Sequence, residues 1–211
     1  MNTSPLTGEE ARDYADFYLR EKGKMVAVRE AELLAARLPE DATVLSVGCG
    51  PARVEEELLR LRPHCTIMGV DVSREMLALA PPSVATVQAE AEHLPFASGV
   101  FDAVAYIASL EFMGNPSAAV AESHRVLRPQ GRLVVLMLNP RSAYFRQGYR
   151  RPGSYIRRHI RHTDVASIED AVFRRFAPVS TEYHLEITPA GIRECSSPER
   201  ASLYLLEGQR E

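Results

Sequence analysis

Two short stretches of the sequence hold residues whose types and spacing could bind a nucleoside. The first is Gly48-Cys49-Gly50, which ends a strand-like run over 43–47 and stands immediately before a helical pattern. Glycines allow a tight turn and let a ligand approach without a Cβ in the way. The free N–H groups of a helix start favour the polar or negative end of a ligand. A tight strand-to-helix turn without a ligand is the alternative.

The second stretch is Gly69-Val70-Asp71-Val72-Ser73, in which Asp71 closes a second strand-like run. A carboxylate at that point can accept hydrogen bonds from both hydroxyls of a ribose. The spacing of about twenty residues from the glycine turn is the one that nucleoside cofactors need. A helix-capping or turn aspartate is the other interpretation.

Three other kinds of site lack their defining residues. Arg53 stands where the dinucleotide fingerprint G-x-G-x-x-G has its third glycine, and an arginine cannot serve that packing role. No Gly-Lys-Ser/Thr follows the turn, as a P-loop requires, and the chain has no G-x-S-x-G elbow. The turn therefore favours a nucleoside ligand without a pyrophosphate, such as S-adenosylmethionine.

Strand-like and helix-like runs alternate between residues 42 and 140, with short connections. This alternation predicts right-handed crossovers and a parallel sheet covered by helices on both faces. The first forty residues are predicted to be helical. Two late strand-like runs, 179–187 and 200–207, predict a hairpin at the sheet edge. The predicted strands of the core are 43–47, 65–70, 84–89, 101–107 and 132–138. Ser73 is a predicted N-cap for a helix over 74–80, which Pro81-Pro82 ends, and a turn is predicted at Pro129 and Gly131.

Composition bounds the class of protein. The 211 residues include 45% hydrophobic and 25% charged residues, which is typical of a globular domain. The formal net charge of -3 argues against a protein that coats nucleic acid. No run is long enough to span a bilayer, and the N-terminus does not resemble a signal peptide. The odd set Cys49, Cys65 and Cys195 lacks CxxC spacing, which indicates no zinc site and favours a reducing, cytoplasmic location.

Four blocks, in order, resemble class I S-adenosylmethionine-dependent methyltransferases of the type 11 group, which is close to the ubiquinone and menaquinone C-methyltransferases. Residues 44–52 resemble motif I. Residues 87–96, ending in Leu94-Pro95-Phe96, resemble G-D-A-E-x-L-P-F, while residues 101–104 resemble F-D-x-V and residues 125–133 resemble R-V-L-K-P-G-G-x-L. The resemblance implies a doubly wound, mostly parallel, seven-stranded Rossmann-like α/β sheet of order 3-2-1-4-5-7-6, with the last strand antiparallel.

The resemblance also implies a set of cofactor-binding residues for S-adenosylmethionine and its product S-adenosylhomocysteine. These are Gly48, Cys49 and Gly50 for the methionine and ribose end, Asp71 for the ribose, Val72 and Met76 for the adenine, Glu90, Ala91 and Glu92 beside the adenine, and Ile107 and Ala108 near the sulfonium. Tyr14 and Tyr18 could close over the cofactor or simply pack their helix onto the sheet.

Two positions depart from motif I. Ser46 replaces the usual acid and brings no charge to answer the cofactor's ammonium, and Ala52 replaces the last glycine. Glu90 is one methylene longer than the usual aspartate. Asp71 and the Leu-Pro-Phe block nevertheless favour an active enzyme, and a non-catalytic cofactor-binding or scaffold protein is the alternative.

Two residues are candidate bases for a methyl transfer. His93 could face the acceptor or be a solvated loop residue, and Glu111, where relatives often carry histidine, could bind the cofactor or act as the base. In-line transfer needs a base only if the acceptor must lose a proton near the transition state.

The segment from Arg146 to His162 is rich in arginine and contains Tyr149 and Tyr155. It could grip an anionic acceptor or RNA phosphates, or form a solvated lid helix. We expect a small-molecule acceptor, with an RNA or protein methyltransferase as the further alternative, in a monomer or homodimer. One domain over 1–211 is expected, with a helical cap over 1–40, a cofactor-binding core over 41–140, an acceptor-side lid over 141–175 and a hairpin over 176–211.

Overall fold

A seven-stranded mixed sheet forms the centre of the computed structural model, which describes residues 5–211. The strands are Thr43–Val47 (β1), Thr66–Asp71 (β2), Ala85–Gln88 (β3), Phe101–Ile107 (β4), Leu127–Leu138 (β5), Ala177–His184 (β6), Glu186–Thr188 (β7), Gly191–Arg193 (β8) and Leu203–Gln209 (β9). The order in the main sheet is β3-β2-β1-β4-β5-β9-β6, and β7 and β8 form a separate two-stranded ribbon.

The first five strands pair in parallel, and β9 runs antiparallel to both β5 and β6. Because β9 is the last strand of the main sheet, this arrangement confirms the predicted order 3-2-1-4-5-7-6 with an antiparallel final strand. Strands β6 and β9 pair antiparallel at the sheet edge, as the predicted hairpin requires, but the run predicted over 179–187 breaks at Leu185 and β7 pairs with β8 instead. The observed strands put the carboxyl ends of β1, β2 and β4 at one edge, where a doubly wound sheet binds ligands.

Eight helices flank the sheet within the described residues. They are Gly8–Leu19 (α1), Glu21–Ala35 (α2), Arg53–Leu61 (α3), Arg74–Leu77 (α4), Pro116–Val126 (α5), Ala143–Arg150 (α6), Tyr155–His159 (α7) and Val165–Phe173 (α8). Side chains cap five of them, as N-cap residues do when they accept a bond from a free N–H. These caps are Ser73, Asn115, Ser142, Ser154 and Asp164. No helix between residues 5 and 211 is long and apolar enough to cross a membrane.

Two boundaries differ from the sequence prediction. The helix α4 ends at Leu77 although the pattern predicted 74–80, because Pro81-Pro82 leaves only turns before β3. The strand β5 begins at Leu127 rather than at residue 132. Leu127 pairs with Phe101, and the register then shifts past Pro129 and Gly131, so the expected turn is an irregularity inside one long strand.

Alternating strand residues divide the core into two layers. On one face, Leu45, Tyr106 and Val135 pack with residues of α5 and α8. On the other face, Val44 and Ala105 pack with residues of α2 and α3. A parallel sheet needs apolar residues on both faces because helices cover both, and the near-continuous apolar runs of β1, β4 and β5 supply them.

The buried amide of Asn139 links the end of β5 to the segment before β9. Its Nδ2 donates to the carbonyl oxygens of Pro198, at 2.8 Å, and Ala201, at 2.7 Å. Asn139→Ala should lower the free energy of unfolding by about 1–3 kcal/mol, because both carbonyls lose their donor. Chemical denaturation measures this change. Thr66→Ala, at an exposed position that starts β2, is the control, and an equal loss in both variants would contradict the prediction.

Candidate functional site

The glycine turn after β1 needs glycine at Gly48 for two reasons. Its φ of +73° lies in the left-handed region, and a Cβ there would come within 2.6 Å of the Cβ of Ser109. Gly50 is also left-handed, with a φ of +53°. The N–H groups of Gly48 and Cys49 both donate to the carbonyl oxygen of Val70, at 2.7 and 3.0 Å. The turn is therefore held against the end of β2.

Asp71, at the end of β2, joins two loops through its carboxylate. Its Oδ2 accepts the N–H of Gly50 at 2.9 Å, and its Oδ1 accepts the N–H of Ser73 at 2.8 Å. Burial raises the pKa of Asp71, and its backbone hydrogen bonds oppose that rise. A carboxylate has about four lone-pair sites, so each oxygen keeps one for a ligand hydroxyl.

Ser73 fixes the start of the short helix α4 beside this carboxylate. Its Oγ accepts the N–H of Met76 at 3.2 Å and donates to the carbonyl oxygen of Leu6. Met76 is buried and lines the same cavity as Asp71. The predicted N-cap role of Ser73 is therefore confirmed.

The loop after β3 is held by Arg125, which belongs to the fourth block of the sequence resemblance. The Arg125 guanidinium donates to the carbonyl oxygens of Phe96, at 2.7 Å, and Leu94, at 2.9 Å. It also forms a two-point ion pair with Glu122, and Glu122 in turn accepts the N–H of Leu94 at 2.9 Å. These bonds fix the Leu-Pro-Phe block, and the adjoining residues 90–93 are thereby positioned in the wall of the cavity described next.

A cavity of about 650 Å³ opens at the carboxyl ends of β1, β2 and β4. Its size suits a nucleoside-sized ligand, since ligand pockets span about 300–1,000 Å³. Eleven of the residues singled out from the sequence line it: Tyr14, Gly48, Gly50, Asp71, Val72, Met76, Glu90, Ala91, Glu92, His93 and Ala108.

The remaining predicted residues lie elsewhere. Cys49, Ile107 and Tyr18 line a small space of about 10 Å³ under the glycine turn, which Tyr14 and Gly48 also touch. Glu111 is buried behind the walls and lines none of the described cavities. Its Oε1 accepts the N–H of Leu138 at 2.9 Å, and its carbonyl oxygen accepts the N–H groups of Arg161 and His162. The catalytic roles of Glu111 and His93 stay predictions.

Ser46, the position where motif I usually has an acid, contacts an acid from the next helix. Its Oγ donates to the Oε1 of Glu55, and both side chains are buried. Glu55 also lines the small space under the glycine turn. A carboxyl group is therefore present beneath the turn although β1 does not supply it. Ala52 keeps the left-handed conformation, with a φ of +52°, that a glycine would adopt more easily.

Three buried glutamates lie close enough to influence one another. Burial, together with the charges of Glu55 and Glu111, raises the pKa of Glu30 to about 8. Burial likewise raises the pKa of Glu55 to about 7, against the opposing hydrogen bond from Ser46, and that of Glu111 to about 7. Perturbed acids of this kind gather at functional sites because a ligand can supply the missing partner.

A second cavity, of about 640 Å³, adjoins the first. Four residues line both: Tyr14, Ala108, Phe112 and Tyr155. Ala108 directly follows β4 and has a φ of +44°, a conformation that a residue with a Cβ seldom adopts. The helices α1, α2, α6 and α7 supply most of the remaining wall. Two ligands could therefore meet where these four residues lie.

Sequence reasoning missed several residues of the two cavities. Glu55 carried a detectable signal, since it stands in the first turn of the helix that follows the glycines. Glu30 and Phe112 carried none, because no local pattern specifies the packing that brings them to the second cavity. Tyr155 was expected only as part of the arginine-rich segment.

Comparison with known proteins places this fold and site in one class. Residues 45–135 match the family described as a methyltransferase domain. The chain is 38% identical over 183 residues to a demethylmenaquinone methyltransferase from Mycobacterium marinum, covering 86% of this chain and 65% of the relative. It is 37% identical over 116 residues to a malonyl-[acyl-carrier protein] O-methyltransferase from Enterobacter lignolyticus, covering 52% and 45%.

A solved structure of an S-adenosylmethionine-dependent methyltransferase from Thermotoga maritima shares the fold, with a TM-score of 0.76, 18% identity and 95% of each chain covered. The core of this chain is therefore a class I S-adenosylmethionine-dependent methyltransferase domain. It is similar to demethylmenaquinone methyltransferases and to ubiquinone/menaquinone biosynthesis C-methyltransferases. The chain spans less than two thirds of the length of either curated relative named above.

The cofactor that this family and fold imply is S-adenosylmethionine, with S-adenosylhomocysteine as product. The residues that line the first cavity, at the carboxyl ends of β1, β2 and β4, fit this cofactor. A Cβ at Gly48 would close the turn against Ser109, and Asp71 presents a half-buried carboxylate to the cavity. Gly48, Gly50, Asp71, Val72, Met76, Glu90 and Ala91 would hold it.

Glu30 should make stability depend on pH. Its pKa is about 8 in the folded chain against 4.5 for an ordinary glutamate, so the folded state binds more protons between these values and stability falls as pH rises through them. Relative to the wild type, the free energy of unfolding of Glu30→Gln should rise by about 2–4 kcal/mol between pH 5 and pH 8.

Urea denaturation at both pH values measures this change. Glu32→Gln, on the same helix and paired with Arg29, is the control and should parallel the wild type. If the free energy of unfolding of Glu30→Gln changes with pH just as that of the wild type does, the raised pKa of Glu30 is refuted.

Proposed function

We propose that this protein transfers a methyl group from S-adenosylmethionine to a small-molecule acceptor. The observation that carries the proposal is the meeting of two cavities at Tyr14, Ala108, Phe112 and Tyr155, one of them lined by the glycine turn and Asp71. The cofactor supplies a methyl group on a sulfonium, which an acceptor atom can attack in line.

The residues of the chain would then bind, orient and exclude water. Asp71 would accept the ribose hydroxyls while its hydrogen bonds to Gly50 and Ser73 hold the carboxylate in place. Tyr14 and Tyr155, with ring centroids 4.8 Å apart, would close the junction between the cavities. Holding two reactants in the right geometry lowers the barrier without a dedicated catalytic group.

Glu55 would supply the negative charge that Ser46 lacks. It is buried beneath the glycine turn, beside a space of about 10 Å³, and a space of that size holds one water molecule. A charged carboxyl there can attract the cofactor's ammonium, directly or through that water. This placement favours an active cofactor site over the degenerate, non-catalytic one that Ser46 and Ala52 suggested.

The arrangement of the arginine-rich segment favours a small acceptor over RNA. Arg158 and His159 both contact Glu10 of α1, at 3.0 and 2.6 Å. Tyr155 packs on Tyr14 and on Phe112, so its ring is engaged inside the chain. We therefore propose that residues 141–175 form a lid on the acceptor side, over the core of 41–140 and beside the helical cap of 1–40.

The names of the relatives suggest two acceptor classes, a quinone and a carboxylate carried on acyl-carrier protein. The helices that line the second cavity, and not the cofactor loops, would select the acceptor.

The first test is calorimetric titration with S-adenosylhomocysteine, using NAD as the control ligand. We expect micromolar binding of the first and none of the second. Asp71→Ala should weaken binding by about ten- to hundredfold, because hydrogen bonds to a charged group are lost. Asp41→Ala, at an exposed position, should leave binding unchanged.

Thermal unfolding checks that the Asp71→Ala variant is folded. Asp71→Asn is a milder variant, because its amide oxygen can still accept one of the two backbone N–H groups. A folded wild type that does not bind S-adenosylhomocysteine would mean that the site is degenerate and the protein a scaffold.

The role of Glu55 has a separate test. Glu55→Gln should weaken S-adenosylhomocysteine binding by about tenfold, since it removes one charge from the ammonium's surroundings. Binding of 5′-methylthioadenosine, which has no ammonium, should not change. Glu57→Gln, whose carboxylate pairs with Arg60 on the surface of the same helix, is the control. Equal losses for both ligands would assign Glu55 a structural role only.

A further inference from the structure

Glu30 is a buried acid with an unused acceptor atom. Its side chain belongs to α2 and is 2% exposed, and it lines the second cavity. Its Oε2 has no hydrogen-bond partner among residues 5–211. A buried polar atom without a partner is costly, so a bound molecule that donates a hydrogen bond would relieve the cost.

Aromatic rings surround the same cavity. Six of its lining residues are aromatic: Tyr14, Phe17, Tyr18, Phe112, Tyr144 and Tyr155. Burial raises the pKa of Tyr14, Tyr18 and Tyr144, and the charge of Glu30 contributes to each rise. These hydroxyls therefore lie near the carboxyl group of Glu30. Aromatic faces attract planar rings and also cations.

The charges of the cavity favour one sign of ligand. Glu10, Asp13 and Glu30 are its acids and Arg151 and Arg158 its bases. Arg158 is already paired with Glu10, and Arg151 is exposed. Glu111 adds a further carboxyl group behind the wall, where its charge reaches Glu30. Around Glu30 the cavity therefore carries acids, so a cationic ligand would favour the ionised form of Glu30 by releasing its proton, whereas an anionic ligand would oppose that ionisation.

We infer that the second cavity binds an aromatic molecule that carries a cationic amine, with the amine hydrogen-bonded to Glu30 and the ring held among the tyrosines. This inference rests on the proposed function, since it names the class of acceptor for that site. The buried carboxylate gains both a donor and a counter-charge, which an uncharged ring or a carboxylic acid cannot supply. Glu30 is thus a specificity-determining residue for the acceptor.

Three probes of one size test the charge preference: 2-phenylethylamine, 2-phenylethanol and phenylacetate. Each is titrated by calorimetry at pH 7, with and without saturating S-adenosylhomocysteine. Bound S-adenosylhomocysteine keeps the probes out of the first cavity. We expect the wild type to bind the amine at least tenfold more tightly than phenylacetate. Glu30→Gln should remove most of that difference, while Glu32→Gln keeps it.

A second pair of variants tests the aromatic wall from another helix. Tyr144→Leu should weaken the amine at least threefold, whereas Tyr149→Leu, on the same helix but 44% exposed and stacked on Phe145, should not. This pair keeps the test decisive if Glu30→Gln does not fold, which thermal unfolding would reveal.

Each outcome separates this inference from the proposed function. Equal affinities for the amine and phenylacetate in the wild type, or a preference that survives Glu30→Gln, would overturn the inference even where S-adenosylhomocysteine binds. Failure of S-adenosylhomocysteine to bind, with the amine preference intact and dependent on Glu30, would overturn methyl transfer and leave an amine-binding cavity.

Discussion

The carboxylate of Asp71 is the interaction on which the rest of the cofactor site depends. It accepts one N–H from the turn after β1 and one from the turn after β2, so a single side chain fixes the two loops relative to each other. Those loops leave adjacent parallel strands, and the bonds from the N–H groups of Gly48 and Cys49 to the carbonyl oxygen of Val70 hold the same strand ends together. Burial of this acid is tolerable because backbone donors meet both oxygens.

The molecule divides its tasks between two kinds of element. Strand ends and their loops shape the cofactor cavity, and helices on top of the sheet shape the neighbouring one. The buried acids Glu30, Glu55 and Glu111 lie where these two parts meet. The charges of Glu55 and Glu111 contribute to the raised pKa of Glu30. Such a concentration of carboxyl groups is poor for stability, and a cationic ligand offsets it.

The sequence predicted the sheet order and the cofactor loops because both follow from local patterns. Apolar runs that end in glycine or aspartate mark parallel strands and their turns, as at Gly48 and Asp71. The boundaries of α4 and β5 were less accurate because proline and a strand irregularity decide them. Glu30 escaped prediction, since its place in the second cavity arises from a helix that packs across the sheet from a position distant in the chain. Whether Ser46 marks a lost charge also could not be known before Glu55 was seen beside it.

The chain contains eight tyrosines and no tryptophan, and Tyr14, Tyr18, Tyr144 and Tyr155 line the second cavity. Half of the natural fluorophores of the protein therefore stand around one site, with no indole to absorb their emission. Tyrosine emission is quenched by nearby carboxylates, so displacement or neutralisation of Glu30 by a ligand would change the signal directly. The unlabelled protein is in this sense its own optical reporter of acceptor occupancy.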